Sequence, residues 1–200
     1  MLPAQVLVIH LERRTDRLAN FRTRWAATGL DVAPVIFAAT DQTRHDPPDP
    51  RWDSYPHGTW GCWDSHVRAL RAAVGPVLIV EDDAVFAPCF GVALAQLTLP
   101  PDWELVHLGG QHLTRPDPVV PGLVRPVRML RTHAYLARYP QILAGALRGH
   151  KTHIDYALGQ LPVHRYACAP WLVGQDDTPG DITRRQPNGF EWWQEARCGA

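Results

Sequence analysis

The chain lacks any run of about 18 consecutive apolar residues, so no membrane-spanning helix is expected. Excess charge of one sign is also missing. Lys+Arg 20 balances Asp+Glu 20, which leaves no broad basic field and makes nucleic acid and anionic membrane poor default partners. Peripheral membrane contact stays open. The start, Met1-Leu2-Pro3-Ala4-Gln5, has neither a charged leader region nor a cleavage site, so a cytoplasmic location is the default expectation. Cysteine is scarce: Cys62, Cys89, Cys168 and Cys198 include no CxxC pair. Their wide, irregular spacing argues against a zinc ribbon or a small disulfide scaffold, and points to buried or incidental thiols. Internal repeats and low-complexity tracts are absent.

What remains is an ordinary soluble composition, 46% hydrophobic and 20% charged, that can bury a core. A single domain over 1–200 is expected, with the polar tail from about residue 175 as a candidate lid. Eight tryptophans are a heavy load for this size; they suit a core or the flat wall of a sugar or base site.

Short β-branched runs alternate with helical patterns. Val6 to Ile9 reads as a central strand, and Thr15 to Ala27 as a helix with Leu18, Phe21 and Trp25 at helical spacing, capped by Thr15 and ended by Gly29. Val35 to Phe37 is a second strand. The polar, Pro- and Asp-rich stretch from Asp41 to Thr59 is too long for an idle connection. Gly61 to Val74 is a helix candidate, Val77 to Val80 a third strand, Phe86 to Leu97 mostly helical and Leu105 to Leu108 a fourth strand. Leu113 to Arg128 reads as a loop or an irregular hairpin, and Thr132 to Leu136 as a short strand. Pro140 to Leu147 and Ile154 to Leu161 look helical, and Phe190 to Arg197 forms a last amphipathic piece. This order predicts an α/β fold with a mainly parallel central sheet flanked by helices, whose ligands bind outside the carboxyl ends of the strands.

Four polar segments follow predicted strands: His10 to Arg17, Ala38 to Gln42, Glu81 to Asp83 and His107 to Gly110. Parallel strands would converge them on one sheet edge. Glu81-Asp82-Asp83 sets a sharper problem, because like charges this close to a buried strand cannot all stay ionised cheaply. A divalent cation is one solution, and its usual use is to hold a phosphorylated ligand. A solvated acidic turn is the other. If the segment stays extended, Glu81 and Asp83 share one side as metal ligands and Asp82 points elsewhere. If the backbone turns there, the assignment moves by one residue.

Taken in order, these pieces resemble the family-25 glycosyltransferases, the lipooligosaccharide sugar transferases related to the collagen galactosyltransferases. His10-Leu11-Glu12-Arg13-Arg14-Thr15-Asp16-Arg17 looks like their opening motif and Phe37-Ala38-Ala39-Thr40-Asp41 like their second. Gly61-Cys62-Trp63-Asp64-Ser65-His66 is similar to their Gly-Cys…Ser-His segment, and Val77 to Asp83 to their Leu-Glu-Asp-Asp block. His107-Leu108-Gly109, Thr132 to Leu136, His153-Ile154-Asp155 and Pro170 to Gln175 follow in family order. The pattern departs at His10, where Asn is usual, at Gln42, where Gly is common, and at Asp181, where Ser is frequent.

The resemblance implies a GT-A-like single domain, a UDP-sugar donor, a carbohydrate acceptor, Mn²⁺ (or Mg²⁺) and inverting transfer of a hexose, galactose or glucose, to a lipopolysaccharide or related glycoconjugate. It implies Glu81 and Asp83 as metal ligands, Asp83 and Asp155 as catalytic residues, and Leu11, Arg14, Arg17, Asp41, Ser65, His66 and Asp82 around the donor. Arg14 and Arg17 suit a clamp on the diphosphate or the uracil edge, with a solvated helix start as the alternative. Ser65 and His66 suit the donor wall, or else a helix cap and a satisfied buried histidine. Asp155 suits the base that deprotonates the acceptor, or sugar binding, or a helix N-terminal acid. Gln175, Asp176, Asp177 and Asp181 suit a lid over the donor, or a loose polar tail. Two rival functions are a catalytically inactive nucleotide-sugar-binding module and a metal-dependent phosphoesterase.

Overall fold

The computed structural model describes residues 3–176 and 181–182. Strand β1 (Gln5–His10) leads to helix α1 (Thr15–Ala26), β2 (Val35–Ala38), α2 (Thr59–Ala72), β3 (Val77–Glu81), β4 (Ala84–Phe86) and α3 (Phe90–Gln96). Then follow β5 (Leu105–His107), β6 (Gln111–His112), β7 (Asp117–Val120), β8 (Leu123–Arg125), β9 (Met129–Leu130) and β10 (Ala134–Ala137). Helices α4 (Pro140–Leu147) and α5 (Ile154–Gln160) and strands β11 (Arg165–Cys168) and β12 (Val173–Gln175) complete the order.

Eight strands form one sheet in the order β2-β1-β3-β10-β5-β11-β8-β7. Strands β1, β2 and β3 are parallel neighbours, as are β5 and β11. Within this sheet β10 and β8 run against the common direction of the rest. The architecture is therefore α/β with a mainly parallel, mixed sheet. Both faces are covered, which is why the central strands are apolar at every position rather than at alternate ones. Val6, Val8, Leu78 and Val80 pack with Phe21 and Trp25 of α1 and Phe90 and Leu94 of α3. The intervening Leu7, Ile9, Val77 and Ile79 pack on the other face with Val67 and Leu70 of α2, Leu143 and Leu147 of α4 and Leu158 of α5. Among the described residues no helix is long and apolar enough to cross a membrane.

Several expectations change in detail. Thr15 is the first helical residue of α1, and Arg14 takes the cap position without a side-chain cap bond. The segment from Phe86 splits into the end of β4 and the short α3. The long 41–59 connection carries a 3-10 turn, Pro50–Ser54, that buries Trp52. Cys62 and Cys168 are free thiols, but Cys89 is disulfide-bonded, against the expectation of incidental thiols. Trp25, Trp52, Trp60, Trp63 and Trp103 are buried in the core, and among the described residues no tryptophan lines the cavity described below. Asp177 and the Phe190 to Arg197 piece lie outside the described residues, as does most of the tail expected as a lid.

Candidate functional site

The carboxyl ends of β1, β2 and β3 open into a cavity of about 240 Å³. Its walls come from Leu11, Arg13 and Arg17 after β1, from Ala39 to Thr43 after β2, and from Glu81, Asp82 and Asp83 at and after β3. Helix α2 adds Gly61, Cys62, Ser65 and His66. Three of the four polar segments thus converge. The fourth, His107 to Gly110, does not line the cavity, because the antiparallel β10 inserts between β3 and β5 and carries the end of β5 away.

Helix α2 seats closely on the chain after β2. A Cβ at Gly61 would lie 2.6 Å from the Thr40 carbonyl oxygen, so the close approach requires glycine there. Ser65 fixes the same junction, accepting from the Thr40 N–H at 2.8 Å and donating to the Gly61 carbonyl. Its role is to hold the wall. His66 is fully buried; its Nδ1 meets the Tyr135 hydroxyl at 3.0 Å and its Nε2 lies 3.3 Å from Glu81 Oε1.

The acids do not stay extended. The backbone turns at Asp82 and Asp83, and all three carboxylates reach the cavity. Each has a different surrounding. Glu81 accepts from the Thr132 hydroxyl at 2.9 Å. Burial pushes its carboxyl up, but the His66 bond and charge, with His133 and Thr132, outweigh burial and hold it well below the usual range. Asp82 is held at 2.7 Å by His10 and at 3.4 Å by Arg17, so His10 orients this carboxylate. Asp83 is only 7% exposed; Oδ2 lies 3.2 Å from Arg17, and Oδ1 is buried without a hydrogen-bond partner. Burial first, then the charges of Glu81, Asp82 and Asp176, push its carboxyl up to about 7 against the pull of Arg17.

Arginines face these acids. Arg13 donates to Asp41 at 2.9 Å and lies 2.7 Å from Asp181; Arg14 pairs with Asp16 at 3.1 Å and Asp181 at 2.9 Å. Asp41 also accepts from the Thr43 hydroxyl at 2.7 Å, and Gln42 accepts from the Gly58 N–H at 2.9 Å.

Of the residues expected from sequence, Leu11, Arg17, Asp41, Ser65, His66, Glu81, Asp82 and Asp83 come together on the cavity wall. Arg14 and Asp155 do not line it. Asp155 lies in the first turn of α5, accepting from the Arg131 N–H at 3.1 Å and the Tyr156 N–H at 2.8 Å. It thereby steadies Arg131, whose φ of 75° is unusual for a side-chain-bearing residue. Arg131 in turn donates to Gln175 at 3.1 Å, and Gln175 lines the cavity. Asp176 is held at 2.8 Å by Arg24. Arg13 was not singled out from sequence; its neighbour Arg14 carried the same signal, and only the turn after β1 decides which of the two faces inward.

The donor set at the acid turn fits a hard divalent cation. It consists of carboxylate oxygens, one of them buried and unpartnered, and the local like-charge repulsion is what a cation would relieve. Among the described residues, no three His, Cys, Asp or Glu side chains are arranged to hold an ion alone. That suits the mode in which one or two carboxylates bind the ion and ligand phosphates complete its shell. Asp83 and Glu81, both on the cavity wall, could supply those carboxylates.

No known family profile and no curated protein sequence matches the chain. Among solved structures it is similar to a mutant Drosophila β-1,4-galactosyltransferase 7 complexed with manganese, UDP-Gal and xylobiose, with a TM-score of 0.50 at 11% identity over 100% of this chain and 82% of that one. The chain has a GT-A-type fold. A glycosyltransferase involved in glycosylating the major capsid of PBCV-1 is similar at a TM-score of 0.45 and 7% identity, over 82% of this chain and 80% of that one.

Proposed function

We propose that the protein is a divalent-cation-dependent glycosyltransferase that moves a hexose, galactose or glucose, from a UDP-sugar to a glycan or glycoconjugate hydroxyl. The observation that carries this reading is Asp83: a buried carboxylate with an unpartnered oxygen, crowded by like charge, just after β3, the last of the three parallel neighbours β2-β1-β3 in a GT-A-type sheet. The manganese and UDP-Gal of the Drosophila enzyme support the same choice of ion and donor here. The family-25 resemblance is the support for inversion and for a lipopolysaccharide-type acceptor.

The chain's own residues divide the work. Asp83 and Glu81 hold the cation, which when bound offsets negative charge gathering on the leaving diphosphate. His66 and Thr132 fix Glu81, and His10 and Arg17 fix Asp82, so the acid turn is set before the donor arrives. Arg13 and Arg17 present planar forks suited to phosphate oxygens. Leu11, Asp41 and Gln42 line the same cavity on the segments after β1 and β2 and are assigned to the nucleoside. Asp155 was expected as the base. With both oxygens accepting backbone N–H groups, and lying off the cavity wall, it is assigned instead to positioning Arg131 and Gln175 on the acceptor side.

The test is a screen of several nucleotide sugars with and without Mn²⁺, read as released nucleotide in the presence of glycan acceptors. Metal-dependent release from a UDP-hexose is the expected result. Thermal stabilisation by UDP and Mn²⁺ without consumption of any sugar nucleotide would instead make the protein a binding module. Phosphate release from simple esters would make it a phosphoesterase.

A further inference from the structure

We infer that the Asp181 carboxylate occupies the anion subsite of the protein's own cavity and is displaced when the phosphates of a nucleoside diphosphate bind. The inference rests on the donor class proposed above and adds a competitor built into the chain. Three guanidinium groups converge on this one carboxylate: Arg13 at 2.7 Å, Arg14 at 2.9 Å and Arg17 at 3.7 Å. Each also has an acid of its own, Asp41 for Arg13, Asp16 for Arg14, and Asp82 with Asp83 for Arg17. Asp181 is therefore the shared anion. Its departure strands no arginine beside the cavity, whereas a diphosphate brings more negative charge and more acceptor oxygens to the same forks.

The segment is seated rather than draped over the opening. Asp181 and Ile182 line the cavity together with the acid turn. A Cβ at Gly58 would lie 3.1 Å from Ile182 Cγ1 and 3.2 Å from the Asp181 carbonyl oxygen. Gly58 has a φ of 91°, a conformation that suits glycine, so bare backbone forms the floor on which Ile182 rests. Asp181 and Ile182 are both partly exposed, the Asp181 side chain to 19%, which fits a strap that a ligand can displace. A protein whose competent state is only partly populated binds its ligand more weakly by that fraction, and removing the competitor restores the difference.

Calorimetric titration of the full chain with pyrophosphate, UDP and uridine tests this. Asp181→Asn keeps the size of the side chain and removes its charge; Ile182→Ser loosens the seat on Gly58 without touching the arginines. Both variants should bind pyrophosphate and UDP roughly three- to tenfold more tightly than the wild type, and Asp181→Asn should leave uridine unchanged. Unchanged or weaker pyrophosphate binding in either variant would overturn the inference, as would an equal gain for uridine. No sugar is transferred in these titrations, so a failed donor screen and a failed competitor remain separate results.

Discussion

Replacing Asp83 with Asn should stabilise the metal-free protein at alkaline pH. The Asp83 carboxyl titrates at about 7 in the folded chain against an ordinary 3.8, because it is buried beside Glu81, Asp82 and Asp176. Between those values the folded state keeps a proton that the unfolded state has lost. The stability contribution is therefore complete below the unfolded value and is lost as pH rises through about 7. At about 1.36 kcal/mol per pH unit, the offset is worth up to about 4 kcal/mol, of which roughly 3 kcal/mol falls between pH 5 and 8. The assay is urea unfolding of wild type and Asp83→Asn in chelator at pH 5 and pH 8. The wild type should lose about 3 kcal/mol more than the variant over that interval, and the variant should be the more stable at pH 8. Equal pH slopes, or a variant less stable than wild type at pH 8, would show that the carboxylate is not crowded in the way described.

Two further outcomes follow from the same geometry. Arg17→Met removes a cation that lies within 3.4 Å of Asp82 and Asp83, and should cost about 3–5 kcal/mol in urea unfolding at pH 8 by leaving buried charge uncompensated; a loss under about 1 kcal/mol would mean the turn is held by other contacts. Asp155→Asn should reduce sugar transfer by less than about tenfold with donor binding retained, whereas a loss beyond about a hundredfold in turnover alone would reinstate Asp155 as the base.

The part of the site made by local sequence was readable in advance. Val6 to Ile9 and Val77 to Val80 are short apolar runs that can only be buried, and each is followed at once by polar residues, so the chemistry at the ends of β1 and β3 was visible without coordinates. Nothing local announces strand direction. Thr132 to Leu136 reads as a strand, but the antiparallel insertion of β10 between β3 and β5 is a property of distant chain segments, and it removes His107 to Gly110 from the cavity. The extended reading of Glu81 to Asp83 failed for a related reason: pairing of β4 with β12 requires the chain to turn before Ala84. Arg13 and Arg14 are chemically identical and adjacent, so periodicity could not decide between them. His10 looked like a departure from pattern, and its bond to Asp82 gives it a purpose that only the 72-residue separation in sequence concealed.

The account depends most on Asp83 holding a divalent cation together with a diphosphate. The direct measurement is the electron paramagnetic resonance signal of free Mn²⁺ titrated into protein saturated with UDP. Wild type should quench that signal with a stoichiometry of one ion, over and above UDP alone, and Asp83→Ala should not. A wild-type protein that leaves the free-ion signal unchanged, or an Asp83→Ala protein that quenches it equally, would contradict the account.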